Sequence, residues 1–291
     1  MRHATLSRVG VVGGLAFATA FAGDAVSHAP PVRGGATSPS ARSVDPLPLL
    51  RGSTLSGRTR LRLIVANAPP YVLDVDRHTV HRIAHVGRAG HDGVAVTPFR
   101  GGALATVFPL CSGCAYRERF FALKSVGAAT PVPRRLGLAA ERNAAPRWVA
   151  ERGADGRVTL LDHATGARHR VRWPSTLGGL GGVVGQPHGP FLAFMFGDPA
   201  YPGPQQAEDL FLLDTRTGKV THVPGFPAQV DLKFSSIAWA SGNRLVLMIH
   251  AADRTTLGIY HPGDRSVALR RMRVPEPIGG SATFVPITER S

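Results

Sequence analysis

Lysine is nearly missing from this chain. Only Lys124, Lys219 and Lys233 occur, so 31 of the 34 basic residues are arginine, and 19 acidic residues leave a formal net charge of +15. An excess of that size first suggests nucleic acid. A nucleic-acid reader, however, gathers its cations on one element with aromatic partners, and these arginines run the length of the sequence apart from short groups such as Arg168, Arg170 and Arg172. The skew fits a high-G+C coding bias, and what it implies is weak, salt-sensitive attraction to anionic polymers.

Catalytic signatures are scarce as well. There is no Gly-x-Ser-x-Gly elbow, no His-Glu-x-x-His and no phosphate-binding glycine loop. The glycine-rich run from Gly178 leads into a strand and so lacks the helix N-terminus that a phosphate site uses. Cysteine is limited to Cys111 and Cys114. Flanking a Ser-Gly turn in an exported protein, the two are expected to form a local disulfide. A redox pair would want a helix N-terminus after the first cysteine, and a zinc half-site would need two more ligands from elsewhere.

Long apolar runs are confined to the N-terminus. A basic start, MRHATLSR, precedes an apolar stretch from Val9 to Gly23 that ends Ala20-Phe21-Ala22. This is the pattern of a secretory signal peptide, here residues 1–22; it is shorter than the roughly 20 residues a membrane span needs, although retention as an anchor is the competing reading. Residues 23–46 are rich in Pro, Ser and Gly without hydrophobic period, as in a disordered linker. The folded domain is expected over 47–291, outside the cytoplasm or secreted, with no membrane span beyond the signal segment.

What the chain has in quantity is turn formers, 34 Gly and 24 Pro. They punctuate a repeat. VLDVDRHTVHRI from Val72, LLDHATGARHRV from Leu160 and LLDTRTGKVTHV from Leu212 each place two apolar residues before an aspartate and another nine positions after it. Asp-x-x-Thr-Gly between β-rich runs is hairpin chemistry, with the Asp capping amides and the Gly taking positive φ. Weaker copies centre on Lys124 and His261, and upstream of the turns lie apolar strand–turn–strand patterns from Gly93, Gly181 and Phe234, with a fainter one from Leu136. Four antiparallel strands recurring roughly every 40–50 residues are the blades of a β-propeller. The expectation is an all-β fold of five blades, with SATFVPITER from Ser281 as the strand that completes the first blade and removes its exposed edge.

On those turn and strand patterns the chain resembles secreted propellers of the TolB-type and related WD-repeat-like superfamily. The WD dipeptide is absent, and the nearest relative of an SPDG turn is Ala240-Ser241-Gly242-Asn243. The resemblance implies a fold and very little chemistry.

In such a blade the Asp74, Asp162 and Asp214 turns lie on the short-loop face and are structural. The opposite face carries the varied loops, where binding concentrates. Its candidate ligand residues are His91, Trp173, Asp198, Tyr201 and His250, with GDPAYPGPQQAED from Gly197 as the longest insertion, carrying Glu208 and Asp209. His78, His81, His85 and His91 form the densest histidine group; on one strand His81 and His85 would share a face with Ile83. Among the inner strands only Glu141 supplies a carboxylate, against the several a propeller glycosidase needs. No catalytic residue, metal or cofactor is assigned. The reading is a monomeric, non-catalytic binding module for a carbohydrate, an anionic cell-wall polymer or an envelope protein, with no nucleic-acid partner. Two others stay open beside it: a lyase or hydrolase pairing His188, His250 or His91 with Glu208, and a structural partner in an envelope assembly.

Overall fold

A computed structural model describes residues 48–111, 117–144, 147–152, 158–171, 175, 177, 179–198, 206–231, 235–251, 254–275 and 283–288. The expected signal peptide and linker therefore lie outside the described residues. Among those residues, 21 strands and one helix follow in chain order. A two-residue strand, β1 (Ser53–Thr54), precedes β2 (Leu61–Val65), β3 (Tyr71–Asp74) and β4 (Thr79–Arg82). Next come β5 (Asp92–Phe99), β6 (Gly102–Pro109), β7 (Arg119–Leu123) and β8 (Ala129–Val132), then α1 (Arg134–Asn143). After the helix run β9 (Trp148–Arg152), β10 (Val158–Asp162) and β11 (Arg168–Val171). They lead to β12 (Gly179–Gly185), β13 (Phe191–Asp198), β14 (Gln206–Asp214), β15 (Lys219–His222) and β16 (Ala228–Val230). The chain ends in β17 (Ser236–Ala240), β18 (Arg244–Ala251), β19 (Arg254–Tyr260), β20 (Ala268–Met272) and β21 (Phe284–Thr288).

These strands make five sheets of consecutive antiparallel neighbours. Sheet I is β21-β2-β3-β4, sheet II β5-β6-β7-β8, sheet III β11-β10-β9, sheet IV β12-β13-β14-β15 with β16 also on β14, and sheet V β17-β18-β19-β20 with β1 at its edge. The last strand pairs with the first sheet as expected, from Leu61 opposite Thr288 to Val65 opposite Phe284.

Apolar side chains explain how the sheets meet. The middle strands are buried on both faces, so β14 reads Leu-Phe-Leu-Leu and β18 Leu-Val-Leu-Met-Ile without alternation. One face of sheet I packs on sheet V through Leu63, Leu73, Met248 and Leu257, and its other face on sheet II through Ile64, Val72, Ala105 and Val107. Sheet V packs on sheet IV through Leu247, Tyr260, Leu210 and Val230, and sheet IV on sheet III through Phe194, Phe196, Leu160 and Trp148. The sheets thus follow in the order II, I, V, IV, III, and the leading strands β5, β21, β17, β12 and β9 approach one another along that series.

The fourth expected strand of sheet III is a helix instead. Residues 134–143 are almost all strong helix formers, Arg, Leu, Ala and Glu, and the helix stops three residues before Pro146, where helical backbone is disfavoured. It packs on β6 and β7, with Gly137 buried. Glu141 is consequently not on an inner strand: the Thr106 hydroxyl donates to it across the helix–sheet contact.

The repeated turns behave as the sequence suggests. Asp74 Oδ1 accepts from the Arg77 amide at 3.0 Å, Asp162 Oδ1 from the Ala164 amide at 2.9 Å, and Asp214 Oδ1 from the Arg216 amide at 3.0 Å. Gly166 and Gly218 both sit at φ +71°, the left-handed region that suits glycine. In the first copy that position is His78, at φ +55°.

Candidate functional site

Two of the five sequence candidates, His91 and His250, have described side chains, and the fold keeps them apart. His91 is exposed at the head of sheet II, its amide donating to the Arg88 carbonyl at 3.1 Å and its carbonyl accepting from Leu110 at 2.9 Å. His250 is in sheet V, with Nδ1 2.9 Å from the Thr255 hydroxyl and its amide donating to Ser235 Oγ at 3.0 Å. Sheet I lies between those two sheets. Trp173 and Tyr201 lie outside the described residues, as does the Asp198 side chain, although its backbone ends β13. Cys111 follows β6, exposed, and Cys114 is also outside the described residues. The histidine group is dispersed too. His81 is exposed on β4 opposite Val72, on the face where Ile83 joins the core shared with sheet II, while His85 is in a turn at φ +65°. Among the described residues no three His, Cys, Asp or Glu side chains are grouped as a metal site would require.

Glu208 and Asp209 are not in a loop. The insertion ends earlier than the sequence suggests, because β13 keeps its register with β14 to Asp198 opposite Ala207, and β16 adds a further pairing at Gln206–Glu208. Neighbours on a strand face opposite ways. Asp209 points to the side of sheet III, where it accepts from Ser175 Oγ at 3.0 Å and lies 2.6 Å from His222 Nε2. Here the carboxylate sits between hydroxyl and imidazole. A serine nucleophile needs the imidazole as its own hydrogen-bond partner, so this trio fixes a wall and does not activate Ser175.

Glu208 shares the opposite face with Leu210 and Leu212, towards sheet V. It is 3% exposed and its Oε1 has no hydrogen-bond partner among the described residues; Gln206 Oε1, two residues along the same face, is also without one there. Burial, with the charge of Asp209 behind it, pushes the Glu208 carboxyl up to about 8.

A cavity of about 730 Å³ opens on sheet V. It forms because residues 48–55 cross from sheet IV to sheet V as a strap. The Gln229 amide donates to the Pro48 carbonyl at 2.9 Å, and β1 runs parallel to β20, with Ser53 opposite Ala268. A Cβ on Gly52 would lie 2.0 Å from the Val267 carbonyl oxygen, so only glycine lets the strap come this close. Leu50, Ile249, Ala251 and Leu269 give the cavity buried or half-buried apolar walls, while Arg51, Arg254 and Arg271 are exposed at its edge and their guanidinium groups make no hydrogen bond or ion pair among the described residues. Sequence reasoning missed this place because a strap docked by a two-residue parallel pairing leaves no periodic signal; the apolar Leu47-Pro-Leu-Leu50 was the one available hint.

No family model and no curated protein matches the chain. Solved structures do match. One is the Bacteroides ovatus protein described as Xyloglucan PUL GH43B, 12% identical, with a TM-score of 0.34; the match covers 81% of this chain and 56% of that one, so the chain spans little more than half its length. No helix among the described residues is long and apolar enough to cross a membrane.

Proposed function

We propose that the chain is an exported five-bladed β-propeller that binds an acidic polymer of the cell envelope, a glycan bearing carboxylate or phosphate groups, in the strap cavity, without chemistry. The observation that carries this reading is the pairing of an apolar floor with three uncommitted arginines in one cavity of about 730 Å³. Ligand sites combine an apolar lining with a few convergent polar groups. A sugar ring can lie on Leu50, Ile249 and Leu269 while its acidic groups meet the planar forks of Arg51, Arg254 and Arg271. Five sheets stacked in series, with the last strand on the first sheet, support the propeller; the N-terminal sequence pattern supports export.

Calorimetric titration with oligogalacturonate, and with a neutral oligogalactoside beside it, tests the reading. Saturable binding of the acidic oligomer is expected, weakened about tenfold or more by Arg254→Ala with Arg271→Ala, given the strength of charge-assisted hydrogen bonds. If neither oligomer binds, or if the double variant binds as the parent does, the reading fails and a protein partner takes precedence.

Export also carries a covalent expectation. The proposed Cys111–Cys114 bridge closes a short loop, so thiol titration of denatured, unreduced protein should count no reactive group. Two would remove the bridge from the scheme.

A further inference from the structure

A second cavity, of about 500 Å³, lies among the turns of sheet I and beside Arg270 of sheet V. Five arginines and two aspartates line it, so three positive charges are uncompensated. The carboxylates are already committed. Asp76 accepts from the Thr59 amide and hydroxyl, each at 2.8 Å, and from the Arg60 amide at 2.8 Å, with Arg270 Nη1 3.7 Å away. Partial burial pushes the Asp76 carboxyl up, but those hydrogen bonds and the Arg270 charge outweigh it and leave it below the usual range. Asp74 accepts from Arg62 Nε at 3.2 Å as well as capping its turn. Arg270 is likewise spoken for, donating to the Val75 carbonyl at 3.0 Å and the Leu55 carbonyl at 3.2 Å. The guanidinium groups of Arg58, Arg60 and Arg77 remain, exposed and without a hydrogen bond or ion pair among the described residues.

The backbone is informative at two of the lining positions. Arg60 is at φ +51° and His78 at φ +55°. A side chain costs free energy in that region, and strain of this kind clusters where a site needs it. At His78 the comparison is internal, since the same turn position is glycine at Gly166 and Gly218. Asp76 itself holds Arg60 in the strained conformation, through the amide it accepts. Like charges thus line one hollow, an arrangement that an anion relieves.

We propose that this cavity binds a compact polyanion, one carrying at least two phosphate or carboxylate groups, through Arg58, Arg60 and Arg77. Arginine forks match both oxyanions in bidentate geometry. The site adjoins the strap cavity, Arg270 lining both, but it uses different free arginines and stands whether or not an acidic glycan binds there.

Titration of the full chain with sodium tripolyphosphate and with citrate at matched ionic strength tests it, and the stronger of the two identifies the oxyanion. Binding at one site per chain is expected, at least tenfold weaker in Arg58→Ala with Arg77→Ala. Arg60→Gly should also weaken binding several-fold while raising the thermal unfolding midpoint by about 2–4 °C, because glycine removes the strain along with the fork. His78→Gly should raise the midpoint by a similar amount. A merely solvated surface would give the stability gain with no change in affinity, and that result overturns the proposal. So does the absence of binding by both anions, or binding abolished by Arg254→Ala with Arg271→Ala, which would put the anion in the strap cavity.

Discussion

Glu208→Gln is expected to stabilise the folded chain at pH 9 by on the order of 4 kcal/mol, and to flatten its pH profile above pH 5. The reason is the position of the carboxyl. It is 3% exposed, one of its oxygens has no partner among the described residues, and it shares its face with Leu210 and Leu212. A charge there costs several kcal/mol to desolvate, so the native carboxyl holds its proton up to about pH 8. In the unfolded chain the same group ionises near the ordinary glutamate value of about 4.3. Below that value both states are protonated and Glu208 contributes its full share. Between there and about 8 the folded state carries a proton that the unfolded state has released, so stability falls by about 1.4 kcal/mol per pH unit. Above the folded value the loss is complete. Glutamine has the same shape and no proton to lose, and its amide can donate, which suits a face where Gln206 Oε1 also lacks a donor. Urea unfolding at pH 5, 7 and 9 reads the difference, small at pH 5 and widening to pH 9; parallel profiles would show that Glu208 is not neutral in the native state. The acid limb should not move. It belongs to carboxylates of the opposite sign, Asp162 and Asp214, held below the usual range chiefly by hydrogen bonds from Arg147 and Arg216, whose contribution disappears as the pH falls.

The same residue shows where sequence reasoning stops. Glycine and proline from Gly197 to Pro204 read as a long loop, and turn chemistry gave no sign that the ladder resumes at Gln206. Pairing is a property of two strands, and β13 is long enough to carry β14 inside the sheet. The elements that were legible have local causes: Asp74, Asp162 and Asp214 cap amides two or three residues away, and short runs such as Phe-Leu-Ala-Phe-Met-Phe, bounded by turn formers, read as strands buried on both faces. Helix α1 was missed for the converse reason. A faint apolar pattern was extended from its stronger neighbours across residues whose own propensity is helical. The candidate site was the least legible part, since His91 and His250 share a strand end in the repeat but not a place in space, and the strap depends on one close approach at Gly52.

Removing residues 284–291 should abolish cooperative folding. Strand β21 is the only part of sheet I that does not come from its own stretch of sequence. It pairs with β2 at five consecutive positions and leaves that edge bare when absent. Phe284 belongs to the core shared with sheet V and Val285 to the core shared with sheet II, both about 5% exposed, with Ile287 packed against the second. Burial of three such side chains contributes about 1.5–3 kcal/mol each, and an unpaired β2 edge invites association with another chain. Together these approach the roughly 5–15 kcal/mol that holds a domain of ordinary stability. The strand also lies against β17 and β5, so its loss loosens sheets V and II as well as sheet I. If the last strand closes the array onto its first sheet, the truncated chain will give a broad, early urea transition and a raised tendency to aggregate. A peptide of residues 281–291 added in trans should then restore the sharp transition by strand addition. A truncated chain that unfolds with the parent's slope and midpoint would mean that the sheets stand in an open series, and that the propeller reading is wrong.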